Sequence, residues 1–173
     1  MKFRQAVSTD LTAIEAIYDR VLTRKEAGQE HIGWVRGLYP TRATASQSLQ
    51  RQDLYVMESE GQILAVATIN QIQADVYSTA PWRYMAPDHK VLVLHTLVVD
   101  PNSIRNGLGR QFVTFYEDMG RQLGCTCLRL DTNVENSNAR AFYNALGYEE
   151  LCTRPCTFPG ITGLTWILME KKL

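Results

Sequence analysis

The 173-residue chain lacks an excess of either charge, with 18 Lys and Arg set against 18 Asp and Glu. That balance removes any bulk electrostatic pull toward nucleic acid or an anionic membrane, so neither is expected as a partner. Long apolar runs are also missing. The longest candidate, Val91 to Val99, is interrupted by His95 and Thr96, and it falls well short of the ~18 residues of a membrane span. Met1-Lys2-Phe3-Arg4-Gln5 leads into polar sequence without the apolar centre of a signal peptide, and a cytoplasmic location is the expectation. Cysteine is scarce. Cys125, Cys127, Cys152 and Cys156 form C-x-C and C-x3-C spacings, neither of them the C-x2-C of a zinc knuckle. Two disulfides or a zinc site are the alternatives to the expected state, reduced and mostly buried thiols with no metal. Repeats, low-complexity tracts and linkers are absent as well, which points to one domain over residues 1–173.

What is present is ordinary globular composition, 45% apolar and 21% charged. Phe3 to Val7 reads as a first strand. Ser8-Thr9-Asp10 offers capping side chains to a helix with Leu11, Ile14, Ile17, Tyr18, Val21 and Leu22 at helical spacing. A second helix fits Arg42 to Gln52. Leu54 to Glu58 and Ile63 to Ile72 form a hairpin about Glu60-Gly61. Val91 to Val99 is nearly continuous in apolar and β-branched residues, as a strand buried on both faces is. A helix from Gly107 to Leu123, a strand from Cys125 to Asp131 and a helix from Ser137 to Leu146 follow. Tyr148 to Thr153 and Thr165 to Lys171 supply two last strands. This order predicts a mixed α/β sheet with helices on both faces and at least one right-handed crossover.

The junction Val98-Val99-Asp100-Pro101-Asn102-Ser103-Ile104-Arg105-Asn106-Gly107-Leu108-Gly109-Arg110 joins the buried strand to a long amphipathic helix. Gly107 and Gly109 allow close approach of a ligand to the backbone. The first N–H groups of the helix have no internal acceptor, and with the dipole they suit a diphosphate. Arg105 and Arg110 add charge that can grip phosphate oxygens. A plain glycine turn with exposed arginines is the bland reading. The segment is neither a P-loop nor a G-x-G-x-x-G fingerprint, since no Gly-Lys-Ser/Thr follows and position 112 is Phe.

Downstream, Asn133, Asn136, Ala139, Phe142, Tyr143, Gly147 and Tyr148 fall on the pattern N-x-x-N-x-x-A-x-x-F-Y-x-x-x-G-F/Y. This resembles the later motif of the GNAT superfamily of N-acetyltransferases. Leu97-Val98-Val99-Asp100-Pro101 and Gly107-Leu108-Gly109 resemble its earlier motif, L-x-V-x-P followed by R/Q-x-x-G-x-G/A. One departure is visible: Ile104 stands at the R/Q position and the arginine comes one place later, at Arg105.

The resemblance implies a mostly antiparallel sheet of about six or seven strands, splayed between the fourth and fifth, with acetyl-CoA in the gap as cosubstrate. Leu97, Val98 and Val99 would run beside the pantetheine arm. Residues 105–110 (Arg105, Asn106, Gly107, Leu108, Gly109 and Arg110) would hold the diphosphate, and Asn136 would bond the pantetheine region. Tyr143 stands at the family's general-acid position, and a Tyr with its ordinary pKa of about 10 can give a proton to a departing thiolate. His95 lies where many members carry a glutamate base, on a strand face expected to include Val93, Leu97 and Val99. The implied activity is direct acetyl transfer to a primary amine on a small molecule or peptide, by a monomer or homodimer. A non-catalytic acyl-CoA sensor and a nucleotide-binding α/β domain are the alternatives. Residues 29–41 and 74–89 carry His31, Trp34, Tyr39, Tyr77, Trp82 and Tyr84, which either line an acceptor pocket or pack these segments onto the body. Asp75 and Asp88 are loop acids able to attract a cation.

Overall fold

Strands β1 (Lys2–Gln5), β2 (Leu54–Ser59), β3 (Gln62–Asn70), β4 (Val91–Val99), β5 (Cys127–Asn133), β6 (Glu149–Phe158) and β7 (Ile161–Lys172) form one sheet. Its order is β1-β2-β3-β4-β5-β7-β6. The helices are α1 (Leu11–Glu26), α2 (Arg42–Gln50), α3 (Leu108–Gln122) and α4 (Ser137–Asn144). The computed structural model describes residues 1–103, 107–158 and 160–173. β1, β2 and β3 pair antiparallel, as do β5, β7 and β6. β4 and β5 pair parallel, and α3 is their crossover. Their pairing runs from Val91↔Cys127 to Leu94↔Leu130, although β4 continues to Val99 and β5 to Asn133. This is the mixed sheet expected from the element order, mostly antiparallel and splayed as the family resemblance implies.

Two compact units make up the chain. The first holds Met1–Glu30, Trp34–Ile69 and His95–Phe115. Its core is apolar: Leu11, Ile14, Ile17 and Tyr18 from α1 meet Leu54 and Val56 of β2, Val66 of β3 and Val98 of β4. The helical spacing of these α1 residues places them on one stripe. Phe3 stacks on Phe115 at 4.8 Å and meets Phe112 edge-on at 5.8 Å.

The second unit holds His31–Gly33, Asn70–Leu94 and Tyr116–Leu173. Alternation puts Leu128 and Leu130 of β5 on one face and Cys127, Arg129, Asp131 and Asn133 on the other. Tyr77, Val91, Val93, Cys127 and Leu168 form a buried cluster, and Trp82 and Tyr84 pack against it. The 74–89 insertion therefore lies on the sheet. It contains two 3-10 turns, Asp75–Tyr77 and Asp88–Lys90, and both Asp75 and Asp88 are exposed.

Several boundaries differ from the sequence expectations. β5 begins at Cys127 because the Cys125 N–H closes the end of α3 on the Gly120 carbonyl. All four cysteines are free thiols, three of them buried. β6 and β7 are longer than their apolar cores, and bulges absorb the irregular residues at Glu150/Cys152 and Cys156/Phe158. Asp10 does not cap α1. Its carboxylate takes the Val7 N–H and a paired contact from Arg4. In β4, Thr96 has φ +53°, a left-handed conformation that β-branched residues rarely adopt. It breaks the alternation expected to align His95 with Leu97 and Val99. Beyond it Val98 is buried, while Leu97 and Val99 are half-buried.

Candidate functional site

α3 begins at Leu108, directly after Gly107. Gly107 has φ +87° with open space where a Cβ would stand, so backbone conformation rather than crowding calls for glycine. Its carbonyl accepts the first helical bond, from Gln111 N at 3.0 Å. Buried Leu108 anchors the first turn, and Gly109 and exposed Arg110 complete it. The N–H groups of that turn have no acceptor inside the helix. Free N–H donors and the helix dipole lie at this end, a set that could hold a diphosphate. Arg105 and Asn106, expected at the same place, lie outside the described residues.

α4 carries the second motif. Asn136 is its N-cap, with Oδ1 accepting from Ala139 N at 3.1 Å. That bond orients the amide, with its oxygen toward the helix and Nδ2 as its remaining donor group. Gly147, at φ +85°, lets the chain turn out of α4, and Tyr148 N reaches the Tyr143 carbonyl at 3.1 Å. Arg140 ties the helix down through Nε and Nη2 to Glu150 and through Nη1 to Val134 O at 3.0 Å. Tyr143 is 8% exposed. Its ring packs edge-on against Tyr148 at 5.7 Å. Burial, reinforced by the charge of Asp131, raises its pKa. The hydroxyl keeps its proton at neutral pH, as a donor must.

β4 brings His95, Leu97, Val98 and Val99 past the end of its pairing with β5. His95 is half-buried immediately before Thr96. The Thr96 hydroxyl bonds the Tyr39 hydroxyl, so the 29–41 connection reaches the strand at its kink. Trp34 stands edge-on to Tyr39 at 6.2 Å and packs on the apolar cluster of the first unit.

Sequence reasoning missed Asp131. It lies on the β5 face shared with Arg129, and Tyr77 donates to its Oδ2 at 2.7 Å. Among the described residues Tyr77 is its hydrogen-bond donor, and Oδ1 has none. Burial pushes its pKa up to about 6, against the lowering effect of the Tyr77 bond. Burial raises Tyr143 and Cys156, and the charge of Asp131 adds to both shifts. Two charged residues alternating with leucines in Leu128-Arg129-Leu130-Asp131 were the available signal.

The model of the acetyltransferase (GNAT) family matches residues 14–148. The chain belongs to that family. A curated relative from Bacillus subtilis, the uncharacterised N-acetyltransferase YhfO, is 23% identical over 152 residues, spanning 87% of this chain and 91% of its own. A GNAT family acetyltransferase from Listeria monocytogenes superposes with TM-score 0.73 at 22% identity, over 99% of this chain and 94% of its own. A Salmonella typhimurium acetyltransferase solved with acetyl-CoA superposes with TM-score 0.70 at 17% identity, over 100% and 94%. The ribosomal-protein-alanine N-acetyltransferase of Brucella melitensis does so with TM-score 0.70 at 20% identity, over the whole of both chains. These structures share the fold. Together with the family match they support acetyl transfer with acetyl-CoA as cosubstrate. Among the described residues no helix is long and apolar enough to cross a membrane, and no three His, Cys, Asp or Glu side chains are grouped for a metal.

Proposed function

We propose that the protein transfers an acetyl group from acetyl-CoA directly to a primary amine, with both substrates bound at once. The observation that carries this reading is the company of a protonated hydroxyl, Tyr143, and an ionisable carboxylate, Asp131, within one unit. Acyl transfer to an amine requires one donor and one acceptor of protons.

The chain's residues take the following parts. The first turn of α3, with Gly107, Leu108, Gly109 and Arg110, holds the diphosphate, joined by Arg105 and Asn106. Backbone groups of Leu97, Val98 and Val99 run beside the pantetheine arm, and Asn136 Nδ2 bonds it. A backbone N–H of this β4 segment receives the thioester oxygen as charge builds there, a contribution of roughly 3 kcal/mol where donors are preorganised. The acceptor ammonium gives a proton to the Asp131 carboxylate, and the freed lone pair attacks the thioester carbon. The C–N bond forms, the C–S bond breaks, and the departing thiolate takes its proton from Tyr143. The second amine proton returns to Tyr143 through water, and Asp131 releases its proton to solvent. His95 is the other candidate for the first proton.

Release of free thiol from acetyl-CoA, measured across a panel of primary amines, tests the reading. Turnover with at least one amine is expected. Tyr143→Phe lowers kcat by about 100-fold with little change in CoA affinity. An unchanged rate removes the acid role. Gly109→Asp weakens CoA binding by crowding and repelling the diphosphate, and unaltered affinity refutes the loop assignment. His95→Gln and Asp131→Asn separate the two bases, since only loss of the true acceptor abolishes the acidic limb of the pH profile.

A further inference from the structure

We propose that Tyr39 is a positioning residue, a latch whose hydroxyl bond to Thr96 holds β4 in the kink that sets the direction of the Leu97 to Val99 backbone. The proposal rests on the acetyl-transfer reading above for the use made of that backbone. Its observations belong to the first unit alone.

Thr96 is a β-branched residue at φ +53°. Single residues in this region cost on the order of 1–2 kcal/mol and persist only where surrounding contacts hold them. The contacts past the kink are specific. Val98 is locked into the apolar cluster with Ile17, Tyr18 and Leu54. Asp100 N bonds the Leu64 carbonyl at 2.8 Å, and the Asp100 carboxylate takes two bonds from Arg20, each at 2.8 Å. These fix the strand beyond the kink, and none of them is made by Thr96 itself. At Thr96 the side-chain contact is Tyr39, whose hydroxyl bonds Thr96 Oγ1. Tyr39 is itself positioned. Its N–H bonds the Val35 carbonyl at 2.9 Å and its carbonyl receives the Val35 N–H at 3.1 Å, closing a tight loop. Its ring stands against Trp34.

A backbone that relaxes at Thr96 redirects the next N–H groups, and those are the donors assigned to the thioester oxygen. Donors of this kind act only when aimed at the position that the oxyanion will occupy. The latch therefore supports acyl activation without touching acetyl-CoA, and it places part of the catalytic geometry under the control of the 29–41 connection.

Tyr39→Phe tests this, because it keeps the ring packed on Trp34 and removes only the hydroxyl. The expected result is a fall in kcat of about tenfold, with Kd for CoA within about twofold, since the diphosphate loop is untouched. Thr96→Val, which keeps the β-branch and loses the bond, gives the same fall. In a Thr96→Gly background, where the left-handed backbone needs no latch, Tyr39→Phe causes no further loss. A readout without acceptor is the ratio of acetyl-CoA to CoA affinity, which the wild type holds above one and Tyr39→Phe lowers toward it. The latch is overturned if Tyr39→Phe leaves kcat and that ratio unaltered, if its loss persists undiminished in the Thr96→Gly background, or if the wild-type ratio is one. Absence of thiol release with every amine, alongside a ratio that falls in Tyr39→Phe, refutes the transfer reading and spares the latch.

Discussion

The interiors of the two units are built from different materials. In the first unit the cluster around Ile14, Ile17, Leu54, Val56 and Val98 is apolar. In the second, the sheet face beneath the 74–89 insertion buries Arg129 at 4% exposure and Glu170 at 0%, with Asp131 beside them on β5. Arg129 lies 4.0 Å from the centre of the Trp82 ring and bonds Gln73 and the Tyr84 carbonyl. Glu170 accepts from Arg83 N at 2.6 Å. Arg129 Nε and Glu170 Oε2 make no hydrogen bond among the described residues. An apolar core gains stability simply by excluding water. Buried charges seldom do, because their desolvation offsets their attraction. The charged face is therefore better explained by specificity: it pins the insertion onto the sheet beside Asp131. The contrast teaches that the apolar cluster of the first unit is held by exclusion of water, while the charged face of the second keeps a titratable carboxylate, Asp131.

Substitutions break this contrast in graded ways. Ile17→Ala, in the apolar cluster, should cost about 4 kcal/mol of stability, read from urea unfolding, while leaving the pH profile of turnover unchanged. Arg129→Met should cost about 3 kcal/mol, because it strands Glu170 as an uncompensated buried charge. Its loss should grow as pH rises, since burial has already raised the Glu170 pKa and ionisation becomes harder to bear without the arginine.

Asp131→Asn should reverse the pH trend instead. The carboxyl is raised from 3.8 to about 6, so between those values the folded protein holds a proton that the unfolded chain has lost. Stability from this group is present below the lower value and falls as pH rises through the window, by about 2 kcal/mol after allowance for its partial access to solvent. The Asn variant, melted in parallel from about pH 4 to pH 7, should lack that decline. Tyr77→Phe should have the smallest effect, about 1 kcal/mol. It should also move the Asp131 titration upward, because the lost bond had held it down.

The same contrast explains what was legible in the sequence. Helical spacing from Leu11 to Leu22 predicted the first unit's core, and the β-branched run of β4 predicted residues of both clusters, Val98 in the first and Val91 and Val93 in the second, since apolar periodicity is what such cores consist of. The two motifs led to Gly107, Asn136 and Tyr143, whose backbone roles follow from helix ends that the sequence announces. Thr96 was not legible. Its left-handed φ comes from tertiary contacts, among them a hydroxyl 57 residues away, and propensity argues against it. Asp131 was not legible either. An acidic residue in an alternating strand reads as solvent-facing until the insertion that covers it is placed. Tyr39 was visible only as one aromatic among several in an irregular connection.

The most direct test of the account is the pH dependence of kcat/KM for thiol release with one amine acceptor, in the wild type and in Asp131→Asn. The wild type should show an acidic limb near the carboxyl's raised value of about 6, and the Asn variant should lose that limb along with about 100-fold in rate. An Asn variant that keeps both the wild-type rate and the limb would contradict the assignment of the acceptor's proton to the charged face.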